Sequence, residues 1–473
     1  MRCLQVESNL RLFVIHRYPL LSWISFYVFI VPTNADALPS PAMSSPQKSD
    51  SVRQLGLASA TCLVVANMIG TGVFTTSGFL LKDLGSPWAV MLAWLGGGII
   101  ATLGALCYGA LARRIPESGG EYVFLSRTVH PSAGYIGGWI SLIVGFSAPL
   151  AAAAVAFGEY TKAWLPGWPP QLTGTIVLTL FTLVHAVSVK HGAWIQNLAV
   201  FVKVSLILGF VFLAFGKISW NHLPAVSGAP VADLGVSLVW VSFSYSGWNA
   251  AIYIGGEIKE PEKFLPRAML LGTLLVMVLY LALNFVFVFG APVEKLAGNL
   301  EVGRIAATAL GGPGWGNLVT GLVAIALVSS VSAMVMAGPR VYARMAADGY
   351  LPRILAMRDG PPVASIILQY ALAMVMLWTA AYDKLLTYIG FTLGICTAAT
   401  VVGLVRLRWR EGASLKVPGW PWVPALFLIA VSGMTLFSIL RRPQESLVGL
   451  GTIALGWIAW KISTRQKHLN PAS

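Results

Sequence analysis

Charge is what this chain has least of. Asp, Glu, Lys and Arg make up 11% of its 473 residues, against 56% hydrophobic residues. A soluble domain carries about 25% charged residues, and so few polar groups cannot cover a water-facing exterior of this size. With a mean hydropathy of +0.74, a water-soluble globular protein is excluded. Cysteine is also scarce. Cys3, Cys62, Cys107 and Cys396 form no CxxC and no Cys/His spacing, and the last three lie inside apolar runs. No disulfide framework and no metal centre follow from them, and no motif calls for a cofactor. Acids are fewer than bases, 18 against 32, for a net charge of +14. In a soluble protein that excess would point to nucleic acid. Here the bases sit in short segments between apolar runs, which is the positive-inside pattern of membrane proteins, and nucleic acid is set aside as a partner.

What the chain has in plenty is runs of about 20 apolar residues, the length that crosses a bilayer as a helix. They predict twelve transmembrane helices, at 56–81, 88–111, 133–160, 172–189, 194–215, 234–256, 268–290, 318–341, 363–381, 385–407, 423–440 and 447–462. The predicted fold class is therefore an all-α integral membrane protein. One set of connecting segments carries most of the bases, among them Arg113, Arg114, Arg127, Lys259, Lys263, Arg267, Arg340 and Arg344. The opposite set has fewer, such as Lys82, Lys162, Lys217 and Lys295. The richer side is expected to be cytoplasmic, placing both ends of the twelve-helix body inside the cell membrane.

The first 54 residues stand apart. The apolar run 18–31 follows Arg2, Arg11 and Arg17 and precedes Ala35-Asp36-Ala37, in the manner of a signal peptide. A cleaved signal would export the N-terminus, against the charge rule for the first span. The alternative is a translation start at Met43, which leaves an ordinary polar lead, and this is the expectation adopted.

Two spans carry notches. The first reads CLVVANMIGTGVFTTSGFLL, with Gly70-Thr71-Gly72 near its middle. The sixth reads LVWVSFSYSGWNAAIYIGGEI, with Ser246-Gly247 near its middle between Phe243, Tyr245 and Trp248. Each such glycine weakens a helix by about 1 kcal/mol relative to alanine and lets a ligand approach bare backbone. Close contact between helices through small residues is the other reading. Each notched span opens a run of five, spans 1–5 and 6–10, with two more after them. Interrupted helices at matching positions of two repeats are where many secondary transporters bind substrate. Peptide groups freed by a break cost several kcal/mol each in the membrane unless met. The N–H end of one half-helix and the carbonyl end of the other carry opposite partial charges, a match for a zwitterionic α-amino acid.

The fifth span contains Lys203, nine residues beyond Trp194, or about 13 Å into the membrane at 1.5 Å per residue. Snorkelling to the surface is strained at that depth. A fixed ammonium touching carbonyls of the broken first span, and Ser329 or Ser330 of the eighth, is the functional expectation; it would replace a coupling cation. His185 and His191 have no evident partners in the sequence, and no cluster of acids, histidines or metal ligands lies within the spans, so an enzyme is not expected.

These features resemble the amino acid–polyamine–organocation superfamily, and within it the L-type amino acid transporter light chains and their bacterial relatives. The likeness runs from about Leu55 to Ile462. It rests on IGTGVF in the first span, PESGGEY at 116–122, FSYSGWN at 243–249 with EIKEPEKFLPRA behind it, GPRVYARMAADGYLP at 338–352, and KVPGWPWVPALF before the eleventh span. The resemblance implies a leucine-transporter-type fold of two inverted five-helix repeats, 55–217 and 218–410, then two further helices in 411–463 and a cytoplasmic tail at 464–473. It implies a substrate site of Met68, Ile69, Gly70, Thr71, Gly72, Phe243, Ser246, Gly247, Trp248 and Asn249. In it the carboxylate meets Thr71 and Gly72, the ammonium meets carbonyls of Met68, Phe243 and Ser246, and Phe243 is a lid. Trp248 and Asn249 line or brace the pocket, and Lys203 matches a lysine of sodium-independent members.

Two departures from the family pattern matter. Animal light chains carry a cysteine after the third span for a heavy chain; 158–173 has none here, so no disulfide-linked heavy chain is expected. Arginine-exchanging relatives present a carboxylate where this chain has Asn249, so neutral substrates are expected. Gly119 and Gly120 are expected to shape a loop, and Arg340 and Arg344 to anchor at the cytoplasmic surface. The expected function is a sodium-independent permease for small neutral amino acids; a sodium-coupled symporter and a non-transporting sensor are the rivals.

Overall fold

A computed structural model describes residues 55–187, 192–218, 231–357 and 361–469. The expectations for residues 1–54, and His191, lie outside the described residues.

Proline and glycine punctuate the helices. Six of them begin on proline: α3 (Pro87–Arg114), α5 (Pro131–Thr161), α6 (Pro170–Val187), α9 (Pro261–Phe289), α12 (Pro313–Ala347) and α16 (Pro443–Leu469). Proline suits the first helical position because that N–H has no intrahelical partner. Ser86 adds a side-chain cap to α3, accepting the Ala89 N–H at 3.4 Å. The corresponding predicted spans all begin one to seven residues late. Apolar content was counted there, and the proline turn lies ahead of it.

The remaining helices are α1 (Leu57–Met68), α2 (Gly72–Leu84), α4 (Gly120–Thr128), α7 (Gly192–Phe215), α8 (Val231–Tyr245), α10 (Val293–Leu296), α11 (Val302–Gly311), α13 (Val363–Thr379), α14 (Tyr382–Glu411) and α15 (Trp422–Arg441). Among the described residues there are nine helices long and apolar enough to cross a membrane, counting α1 and α2 as one. The fifth and ninth predicted spans hold shorter apolar stretches, Val200–Phe215 and Val363–Thr379. The sixth is α8 followed by a 3-10 segment, Ala250–Glu257. No strand occurs among the described residues. Three short helices, α4, α10 and α11, were not expected, nor was the π-helical turn Ser141–Ser147 inside α5.

Burial sorts the helices into centre and rim. In α5, 78% of the most apolar window is buried; in Pro443–Thr464 it is 17%. The rim helices expose Phe201, Phe212, Ile429 and Leu447, side chains suited to lipid. At the centre α9 packs along α3 and α1, and α2 packs on α8. Buried polar groups tie α2 in place. Ser77 Oγ donates to Asn284 Oδ1 at 2.6 Å, Trp94 Nε1 donates to Ser77 Oγ at 2.8 Å, and Tyr160 donates to the Phe74 carbonyl at 2.6 Å. At the start of α1, the Leu55 N–H donates to the Glu257 carbonyl at 3.1 Å and the Leu55 carbonyl accepts from Lys259 N–H at 2.9 Å, joining that end to the 3-10 segment. Arg340 pairs with Glu257 at 3.6 Å and Arg344 with Asp348 at 3.1 Å.

Candidate functional site

Both notches are true interruptions. The first helix stops at Met68; Ile69 leaves helical geometry at φ −75°, ψ 79°, and α-helix resumes at Gly72. In the sixth span α8 stops at Tyr245, Gly247 turns through φ 99°, and the chain continues as 3-10 helix from Ala250.

The breaks interlock through their glycines. A Cβ on Gly72 would stand 2.3 Å from Ser244 Oγ and 2.5 Å from Ser244 Cα; one on Gly247 would stand 2.7 Å from the Asn67 carbonyl carbon. Close packing of small residues and backbone exposure, posed as alternatives by the sequence, therefore occur together. Tyr280 of α9 bridges the two, its hydroxyl reaching the Met68 carbonyl and, at 3.1 Å, the Ser244 carbonyl.

The peptide groups at the first break divide by type. Among the described residues, no acceptor takes the N–H of Thr71, Gly72 or Val73, whereas the carbonyls of Met68 and Ile69 are engaged. Met68 accepts from Gly70 N–H at 2.8 Å and from Tyr280, which fills both acceptor positions. Ile69 accepts from Lys203 Nζ at 2.9 Å. At the second break the Phe243 carbonyl accepts one bond, from Ser246 N–H at 2.9 Å, and the Ser246 carbonyl accepts none from the described residues.

A cavity of about 130 Å³ lies against both breaks. Of the residues expected at a site, Met68, Gly70, Thr71, Gly72, Phe243, Ser246, Gly247, Trp248 and Asn249 line it. Ile69 does not: its side chain is fully buried, and its carbonyl is turned to Lys203. Lys203 is 1% exposed, so it does not snorkel. Its expected contact with the first break is present, but the one with the eighth span is not. Ser329 Oγ has no partner, and Ser330 Oγ packs beside Gly70. His185, which had no evident partner in the sequence, meets Ser332 Oγ at 2.9 Å.

The sequence reading missed Glu121. Gly119 and Gly120, both at positive φ, do turn the chain into α4 as expected, and this brings the next residue into the cavity wall. Glu121 is 4% exposed. It accepts from Asn249 Nδ2 and, at 2.7 Å, from the Tyr253 hydroxyl. Burial pushes its carboxyl above the ordinary range, and the Tyr253 and Asn249 hydrogen bonds pull it partly back. The sixth span presents no acid at position 249, as its sequence shows, but α4 brings one beside it, and the Asn249 amide is committed to that carboxyl. The second acid of the PESGGEY segment, directly after its glycine pair, was the available signal.

The chain matches the family described as "Amino acid permease" over residues 55–457. It is 29% identical over 438 residues to the mouse (Mus musculus) "Large neutral amino acids transporter small subunit 2", covering 88% of this chain and 82% of that one. With the mouse "Asc-type amino acid transporter 1" it shares 28% identity over 85% of this chain and 80% of the other. With the mouse "b(0,+)-type amino acid transporter 1" it shares 27%, covering 83% of each.

Proposed function

The chain belongs to the amino acid permease family, and from that premise we propose that it is a sodium-independent secondary transporter for small neutral L-amino acids, working by alternating access. One observation carries the reading: two interrupted helices meet at a cavity, one offering unpaired N–H groups and the other carbonyls. The substrate carboxylate is received by the N–H groups of Thr71 and Gly72 at the start of α2, where the helix dipole is positive. The ammonium goes to the carbonyls of Ser246 and Phe243. Met68 contributes wall rather than an acceptor, since its carbonyl is already engaged. Phe243, 5% exposed, covers the substrate as a lid. Lys203 stands where a coupling cation would otherwise bridge the first break, which favours sodium independence over sodium symport.

Alternating access uses the breaks as hinges, in a frame of two five-helix inverted repeats and twelve spans with both ends cytoplasmic in the plasma membrane. One mouse relative is named a "small subunit". The segment 158–173 of this chain has no cysteine, so the permease is expected to act without a disulfide-linked heavy chain. A few hydrogen bonds, each worth about 0.5–1.5 kcal/mol net, go most of the way to the roughly 4 kcal/mol of a millimolar dissociation constant.

The test is uptake of labelled L-alanine into proteoliposomes, with and without sodium, in competition with a panel of amino acids. Sodium-independent uptake blocked best by small neutral members is expected. Binding without uptake would replace the reading with a sensor, and strict sodium dependence with a symporter.

A further inference from the structure

Gripping a zwitterion needs the N–H groups of the first break and the carbonyls of the second. It leaves Glu121 without a task. The side chain is 4% exposed and, among the described residues, pairs with no cation; its hydrogen bonds come from neutral donors, Asn249 and Tyr253. Both donors belong to the stretch just beyond the second break, Asn249 at the cap of the 3-10 segment and Tyr253 within it. The carboxyl thus links α4 to the part of the sixth span that a hinge at Gly247 would move.

The link depends on charge. A carboxylate only accepts, and so serves both donors at once. A carboxylic acid carries a proton on one oxygen, which turns that oxygen into a donor and weakens one of the two links. A buried anion without a cation is costly, while two hydrogen bonds favour it.

We propose that Glu121 is the site at which this transporter binds and releases a coupling proton, with the Asn249–Tyr253 stretch as the moving part that reads its charge. The proposal rests on the transporter reading above. A proton from water on the side to which the cavity is open adds to the carboxylate and gives the neutral acid. After the segment moves, the same proton leaves to water on the other side and the carboxylate returns. No other bond is made or broken.

The neighbouring groups leave this titration to Glu121. Facing it are the Tyr108 hydroxyl from α3, the Cys396 thiol from α14, and Asn249 and Tyr253; Ser141 of α5 lines the same cavity. Tyr135 of α5 meets Tyr350 edge-to-face instead. Arg127, on α4 itself, pairs with Glu117 at 3.0 Å, and Arg406 of α14 donates to the Val129 carbonyl beyond the end of α4.

The experiment uses the full chain in liposomes loaded with a pH-sensitive dye, with labelled L-alanine added outside. Wild type is expected to acidify the lumen as alanine enters. Glu121→Gln keeps the shape and an acceptor oxygen but takes no proton, so protons moved per alanine should fall by about tenfold or more. Tyr253→Phe removes a hydrogen bond that favours the anion, so the carboxyl holds its proton to higher pH. The midpoint of the pH–uptake profile should rise by about 0.5–1 unit, a shift that a merely structural tie would not produce. Alanine exchange in wild type without proton movement, or acidification by Glu121→Gln at the wild-type ratio, overturns the proposal and leaves the transporter reading standing. Should Glu121→Gln fail to assemble, the Tyr253→Phe midpoint decides, and an unmoved midpoint overturns it. If wild type neither binds nor exchanges any amino acid of the panel, the transporter reading falls and the proposal with it.

Discussion

The first break is three residues long, keeps negative φ at its edges, and resumes as α-helix. The second needs a left-handed Gly247 and resumes as 3-10 helix. At the first, the Met68 and Ile69 carbonyls are taken by Tyr280 and Lys203 while N–H groups remain unpaired among the described residues; at the second, the Ser246 carbonyl remains so. The continuations also differ. Ser77, Phe74 and Thr76 hold α2 to α9, α5 and α8. The 3-10 segment is held by Glu121, by Ser118 Oγ on the Gly256 N–H at 2.8 Å, and by Arg340 on Glu257. Hydrogen-bond geometry within a 3-10 helix is poorer than in an α-helix, so the second continuation is the easier one to rearrange. On the proposed function, one break is a fixed socket for a carboxylate, and the other is a joint.

The comparison breaks most completely at Gly247. Gly247→Val combines a left-handed φ with a clash against Asn67 backbone, at about 2–4 kcal/mol. Uptake should fall to background and the thermal midpoint in detergent should drop; transport near the wild-type rate would deny the joint. Lys203→Ala comes next. It leaves the Ile69 carbonyl buried without its donor, a cost of about 1–3 kcal/mol, and initial uptake should fall by about tenfold or more; full activity would remove the lysine from the mechanism. Phe243→Ala tests the lid beside the joint: a rise in KM of about 5–10-fold, roughly 1–1.4 kcal/mol, together with a lower thermal midpoint, since a buried ring is removed. Tyr280→Phe should be mildest, costing about 1 kcal/mol of stability and shifting KM by less than about threefold. A large KM effect there would mean that the Met68 carbonyl, once released, competes for substrate.

The breaks were legible in the sequence because glycine pairs in apolar runs are local signals. Lys203 was legible for the same reason, as a lone charge deep in a span. Its partner was half legible: depth pointed to the first break, but Ser330 turned out to face Gly70, a matter of rotation about α12 that spacing does not set. Tyr280 was hidden because a tyrosine in an apolar span looks like core until a carbonyl stands opposite. Glu121 was hidden because its neighbours, Asn249 and Tyr253, lie more than a hundred positions away. The π turn in α5 leaves no local pattern, whereas α11 is amphipathic but too short to be read as a span.

The most direct test of the paired socket and joint is binding of L-alanine analogues to the purified protein, measured by displacement of labelled L-alanine. Alaninamide lacks the carboxylate, and propionate lacks the ammonium. If the two breaks grip opposite charges, each analogue should bind at least about a hundredfold more weakly, the equivalent of about 2.7 kcal/mol. Either analogue displacing the label within a few-fold of L-alanine would contradict the account.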